Sequence, residues 1–369
     1  MTQSSQSIGV GIVGCGKISQ AYFDGAKTFD IFKIVACADL NEAAAKAKAE
    51  ENGCEALSIE ALLAHPDIQL VINLTIPAAH AAVSRDILNA GKHVYCEKPL
   101  TVDLEDARDV LALAESKGLL VGCAPDTFFG AGIQTSREIV DSGKLGRITS
   151  GTAFMLSSGP ESWHPNPGFY YLIGGGPVLD MAPYYLTALV NFLGPIKTVS
   201  AVTTKARNER LATCKEHAGE LLPVEVNTHA SGTLLFHSGA VITAVFSFDV
   251  VAAEHSPIQL YATEGSIKVP DPNTFGGPVS SFVRGDTEWT THELSRPYAD
   301  NTRGIGVADM AYAIASGRPH RASGALACHV LEVMHAFDQS SETGTAVEIE
   351  SRPEQPAALP VGLAEGELD

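Results

Sequence analysis

No stretch of this sequence approaches the ~20 consecutive apolar residues that a membrane helix requires, so no membrane span is expected. The start, MTQSSQS, lacks the basic-then-apolar order of a secretory signal, and no export is expected. Positive charge is scarce: 25 Lys and Arg stand against 43 Asp and Glu, a net charge of −18. Nucleic-acid affinity rests on cations that neutralise phosphates, so nucleic acid is not an expected partner. The seven cysteines are odd in number, include no Cys-x-x-Cys pair and sit mostly inside apolar runs. That pattern reads as reduced core thiols, hence a cytoplasmic location, rather than a disulfide framework. There is no internal repeat. No His-x-x-x-His or comparable spacing surrounds His164, so no metal is required.

The chain does have core-forming material in quantity. Its 369 residues are 45% hydrophobic, more than one growing core accommodates, and two domains are expected. Residues 8 to 41, IGVGIVGCGKISQAYFDGAKTFDIFKIVACADLN, change hydrophobic period twice: strand (8 to 13), helix (about 17 to 28), strand (33 to 38). At the first turn stands Gly14-Cys15-Gly16-Lys17-Ile18-Ser19. Two glycines there permit a tight turn and close approach of backbone to a pyrophosphate, although Ser19 replaces the third glycine of the full fingerprint. Asp39 follows the second strand where a carboxylate can accept hydrogen bonds from an adenosine ribose; it also fits an Asx turn. That carboxylate repels a 2′-phosphate and no arginine follows in Leu40-Asn41, so NAD is expected, with NADP as the alternative.

Strands continue to alternate with helices: an Ala-rich helix (41 to 52), a helix in IEALLAHPDI, a strand in LVINLTIP ending in Thr75 and Pro77, a helix (about 79 to 90), then KHVYCEKP. This alternation specifies a parallel sheet whose ligands sit beyond the carboxyl ends of the strands. Glu97, Lys98 and Pro99 fall at such an end, with an X-Pro bond where a cis peptide is least costly. A solvated lysine closing the strand fits the same position.

GIVGCGKIS, NLTIPAAH, AGKHVYCEKPL and GGGPVLDMAPYYLTALVNFLG together resemble the Gfo/Idh/MocA family of NAD(P)-dependent oxidoreductases, from about residue 8 to 350. The resemblance implies a Rossmann domain with a doubly wound parallel sheet (1–125). It also implies an α+β domain with a mostly antiparallel, open-faced sheet for substrate and oligomerisation (126–350), and helix 324–340 packing back on the first domain. The family mostly oxidises or reduces secondary alcohols of sugars, inositols and their glycosides. By the same resemblance Lys98 is catalytic and touches cofactor and substrate, with Gly14, Gly16, Lys17, Ile18, Asp39, Thr75, Pro77, His80 and Glu97 around the cofactor. Redox-neutral chemistry on a retained NAD and a non-catalytic sensor on the same scaffold are the other classes considered.

The family usually follows its Asp by a His four residues later, where this chain has Asp180 and Tyr184. A spacing of four puts both on one side of a helix, expected to begin near 181 with Pro183 in its first turn. A phenol with an ordinary pKa near ~10 is a poor base unless a cation assists, and Lys98 is the expected cation. Asp180 also fits a helix N-cap, and Tyr184 a packed ring. Tyr185 points about 100° away and is expected in the core. Asp126 and Thr127 follow the last Rossmann strand and are substrate candidates. So are His164 and Asn166, in SWHPNPGFYYLIGGGP, a loop whose rings suit a sugar face or simply a rigid surface loop.

From about 147 the period becomes strand-like, with hairpin turns expected at HSGA and TEGS. Helices are expected on one face of that sheet, and a large apolar surface on the other would be covered in a homodimer or homotetramer. His329 and His335 fall in a helix of core periodicity and read as core-edge or solvated. The Pro-rich, acidic segment 351–369 reads as an extended or mobile tail.

Overall fold

The alternation in the first third of the chain builds β1 (Ile8–Val13), β2 (Phe32–Ala38), β3 (Glu55–Ala56), β4 (Leu70–Asn73), β5 (His93–Cys96) and β6 (Val121–Cys123). In this computed structural model, which describes residues 7–369, they pair in parallel in the order β3-β2-β1-β4-β5-β6. β1 and β4 are buried along their whole length, as strands covered on both faces must be. The connections are α1 (Ser19–Gly25), α2 (Glu42–Asn52), α3 (Ile59–Ala64), α4 (His80–Asn89) and α5 (Leu104–Lys117). Asn41 starts α2 by accepting the Ala43 and Ala44 N–H groups, and Asp103 starts α5 by accepting that of Glu105. Strand order reverses between β1 and β4, so their carboxyl ends open a crevice at Gly14 and Thr75. The first helix is shorter than its expected span: it gives way at Ala26–Thr28 to a single 3-10 turn.

After α6 (Ala131–Asp141), a sheet of nine strands forms. Its members are β7 (Ile148–Leu156), β8 (Ile196–Thr204), β11 (His229–Phe236), β12 (Val241–Ser247), β13 (Ile258–Ala262), β14 (Gly265–Val269), β15 (Val279–Val283), β16 (Thr290–His292) and β17 (Val347–Glu348). They lie in the order β16-β15-β14-β13-β7-β12-β11-β8-β17, with only β7 and β12 parallel. HSGA and TEGS lie at the β11–β12 and β13–β14 turns. A separate hairpin of β9 (Glu209–Leu211) and β10 (Leu221–Pro223) and the strand β15 were not among the expected elements. One face of the sheet is covered by α7 (Gly176–Leu193) and α9 (Gly324–Thr343). α8 (Ile305–Ser316) and α9 also reach back to β6, and the Cys123 N–H donates to Ala322.

Three expectations are corrected. α7 starts at Gly176, with Gly175 as its N-cap and Pro177 in the first turn, so Pro183 lies inside the helix and Asp180 is not its cap. The open face is not a broad apolar surface. Its central rung reads Ser200, Thr233, Thr243, Thr152, Gln259 and Lys268, although Val202, Val241 and Tyr261 are exposed on it. The segment after 350 has no regular structure yet is packed rather than mobile. Leu359 and Leu368 are buried; the Leu359 N–H donates to Gln134, Arg296 to the Leu359 carbonyl, and Tyr298 to the Glu367 carbonyl. Polar side chains placed to receive its backbone hold a segment that lacks a ladder of its own.

His329 ties that segment to the sheet. Its Nε2 accepts the Ile196 N–H at 3.0 Å while Nδ1 faces the Ser351 carbonyl and hydroxyl. The ring is fully buried, and burial pulls its pKa down to about 4, against smaller upward effects of Glu332 and Ser351. A neutral ring suits this site, since a proton on Nε2 would oppose the Ile196 donor. The depressed value makes His329 stabilising above the unfolded pKa near ~6.5, with loss as pH falls toward 4, on the order of 3 kcal/mol in all. Urea unfolding across this window is expected to show that loss in the native protein and a flatter profile in His329→Gln; parallel profiles would contradict it.

Candidate active site

Two domains meet at an ion pair. Lys98, delivered by the end of β5, donates from Nζ to Asp180 Oδ1 and to the Asp180 carbonyl, each at 2.8 Å. Asp180 stands in the second turn of α7, where Pro183 has removed one N–H from the helical ladder. Burial opposes the ammonium, but Asp180 and Tyr184 outweigh it and hold Lys98 above the ordinary lysine range. An ammonium has three N–H donors; with two on Asp180, one is left for the cavity. That cavity, about 730 Å³, runs between the Rossmann crevice and the aromatic loop of the second domain. The Lys98–Pro99 peptide bond is cis.

Tyr184 lies one helical turn beyond Asp180 and lines the same cavity. Lys98 Nζ sits over its ring, 5.3 Å from the centroid, whereas its hydroxyl oxygen receives Arg303 Nη2 at 3.3 Å. Arg303 Nη1 is 3.8 Å from Glu97 Oε1. Glu97 accepts hydrogen bonds from the Tyr22 hydroxyl and from the Lys98 N–H, both at 2.9 Å. Burial, reinforced by Glu97, pushes the Tyr22 phenol well up, so it serves as a donor. Arg303 escaped the sequence reading. It stands 119 residues from Tyr184 in TRGIG, where only the Gly-x-Gly hints at a tight approach.

The glycine loop fits a dinucleotide. Gly14 has φ +105°, and a Cβ there would collide with the Leu74 carbonyl; a Cβ on Gly16 would meet nothing within 4 Å, so bare backbone faces open space. Ser19 is buried and bonds the Gly16 carbonyl. Asp39 Oδ2 accepts the Cys15 N–H at 2.7 Å and Oδ1 the Asn41 N–H, so it both forms an Asx turn and braces the loop. Lys17, Ile18, Thr75, Pro77 and Glu97 line the cavity, as does the buried His80. The His80 ring lies between the Pro99 carbonyl, 2.7 Å from Nδ1, and the Thr75 carbonyl, 3.0 Å from Nε2, and as a neutral ring donates to one of them, which holds the EKP turn near the β4 end. Burial lowers its pKa.

The substrate candidates separate. His164 lines the cavity, and its Nδ1 accepts the Asn166 N–H, which leaves the Nε2 proton free in the neutral ring. Trp163, Phe169 and Tyr170 surround it with aromatic faces. Asn166 itself is exposed and away from the cavity lining. Asp126 and Thr127 are buried and outside the lining too. Asp126 instead accepts the Gly304 and Gly306 N–H groups and so anchors the Arg303 turn. Burial raises its pKa. Tyr185 packs against Phe246. Among the described residues no cluster of His, Cys, Asp and Glu is arranged to hold a metal, and no helix is long and apolar enough to cross a membrane.

Comparison with known proteins identifies the family and the fold. Residues 8–124 match the model of an oxidoreductase family with an NAD-binding Rossmann fold, GFO_IDH_MocA, and residues 133–268 match that family's C-terminal domain. An uncharacterized oxidoreductase of Schizosaccharomyces pombe is 32% identical over 173 residues, 42% of this chain and 47% of that protein's length. D-xylose 1-dehydrogenase (NADP(+)) 2 of Haloferax volcanii is 28% identical over 92% of this chain and 99% of its own. In fold, levoglucosan dehydrogenase in complex with NADH superposes with a TM-score of 0.81 at 20% identity, covering 94% of this chain and all of that one. The chain belongs to the Gfo/Idh/MocA family of oxidoreductases and carries its NAD-binding Rossmann domain.

Proposed function

We propose that this protein is a dehydrogenase that moves a hydride between NAD and a secondary alcohol of a sugar, glycoside or polyol. The observation that carries the reading is the Lys98–Asp180 pair, formed by two domains beside Tyr184 at the mouth of the cofactor crevice. The names of the xylose and levoglucosan dehydrogenases point to the same substrate class. When bound, the cofactor supplies the hydride acceptor for oxidation or the donor for reduction. The chain handles the proton. The third Lys98 N–H orients the reacting hydroxyl, and Tyr184, as phenolate, takes the hydroxyl proton as the carbonyl forms. In reduction the phenol returns it. Asp180 fixes the ammonium, and His164 with the surrounding rings holds the remaining hydroxyls and an apolar sugar face.

Asp39 favours NAD, because its carboxylate occupies the ground a 2′-phosphate would need. The open sheet face supports self-association: its central rung of hydroxyl and amide side chains holds Lys268 as the one charge, in a chain with net charge −18. A face whose central rung carries one ammonium, set over the Trp289 ring, can be covered by a second copy with little charge to desolvate.

With pyranosides, free sugars and inositols screened for NADH formation, Lys98→Ala is expected to abolish turnover while NAD still binds, and Tyr184→Phe to cost about 10²-fold or more. Full activity in either variant, measured where hydride transfer limits the rate, would remove that residue from the chemistry. Asp39→Ala should weaken NAD about tenfold or more and relax discrimination against NADP; an unchanged cofactor preference makes the carboxylate a turn former only. Light scattering is expected to show an oligomer that Thr243→Arg dissociates, and a monomeric native protein rejects the interface.

A further inference from the structure

We propose that Arg303 is the positioning residue that poises Tyr184, its guanidinium at the phenol oxygen joining Lys98 over the ring in setting when the phenol can accept a proton. The inference rests on the reading of Tyr184 as the proton-transfer group. Among the described residues, Arg303 Nη2 is the donor that reaches the Tyr184 oxygen. Lys98, the cation expected there from sequence, lies over the ring and commits two donors to Asp180. A cation at the oxygen favours the phenolate, as an arginine beside a carboxyl favours the carboxylate. A guanidinium keeps that charge at every working pH.

The geometry shows a group held in place for this purpose. Arg303 is 13% exposed at its side chain and lines the cavity. Its backbone is pinned from two sides. Asp126 accepts the N–H groups of Gly304 and Gly306, where Gly304 turns the chain at φ +99°. From the other domain, α1 approaches so closely that a Cβ on Gly25 would lie 1.7 Å from the Arg303 carbonyl oxygen. Glu97 balances the guanidinium at 3.8 Å, beyond hydrogen-bond distance, while accepting from Tyr22 and the Lys98 N–H. The phenol oxygen is therefore the guanidinium's hydrogen-bonded partner in the site. The titratable groups around the pair are Lys98, Asp180 and Tyr170 on the cavity side, and Glu97, Asp126 and Tyr22 behind Arg303. Burial opposes the Arg303 charge, but Tyr184, Glu97 and Asp126 outweigh it and hold the group above the ordinary arginine range.

The test compares pH profiles of kcat/KM for alcohol oxidation in the native protein, Arg303→Met, Arg303→Gln and Arg303→Lys, with NAD affinity as the check on folding. Without the charge, the rate at neutral pH should fall about tenfold or more and the pH at which it levels off should rise by about one unit or more. Arg303→Lys should restore most of that shift. Should Arg303→Met fail to bind NAD, Arg303→Gln, which keeps a hydrogen-bonding side chain, gives the same comparison. Neutral variants whose profile overlays the native one, while Tyr184→Phe still costs about 10²-fold, overturn the role of Arg303 alone. A fully active Tyr184→Phe overturns both readings.

Discussion

The contact between the Lys98 ammonium and Asp180 is the constraint around which the active cleft is arranged. A lysine with its side chain 17% exposed and an aspartate with 22% gain little from pairing unless the geometry is good and the remaining donors are used. Here the ammonium takes both a carboxylate oxygen and a main-chain carbonyl of one helical turn. The pair fixes how α7 faces the end of β5, and with it where Tyr184 stands relative to the cofactor crevice. Removing either partner would leave the other partly buried and uncompensated, which costs far more than the pair itself returns.

Behind that pair lies a layer of buried polar groups, of which Glu97 and His80 also line the cavity. Glu97 accepts from Tyr22 and the Lys98 N–H; Asp126 gathers two glycine N–H groups; His80 lies between two carbonyls. Each is a polar side chain whose burial is tolerated because it is hydrogen-bonded, and each fixes the backbone that carries a cavity residue. The site is thus held by side chains that bond main chain as well as by side chains that bond one another.

The sequence reveals what depends on short-range periodicity. The β1–turn–α1–β2 unit, the placement of Lys98 after β5 and the shared face of Asp180 and Tyr184 all follow from spacing within a few residues, and the structure has them. Where a long-range partner decides, sequence is silent. Arg303 reaches Tyr184 across 119 positions, and Asp126, polar and next to a predicted crevice, turns inward because Gly304 and Gly306 offer it donors. The C-terminal segment has the composition of a tail, but Gln134, Arg296 and Tyr298, far away in the chain, supply the hydrogen bonds it cannot make itself. The start of α7 was missed for a local reason: Pro183 reads as a first-turn residue, and Pro177, which occupies that position, follows three glycines that mask it.

The approach of Gly25 to Arg303 has an evolutionary side. The gap between helix and carbonyl admits a hydrogen atom and nothing bulkier, whatever the cleft accepts. Position 25 is thereby closed to drift even though it contacts no ligand. The seam where the two halves touch has no slack to give at that point.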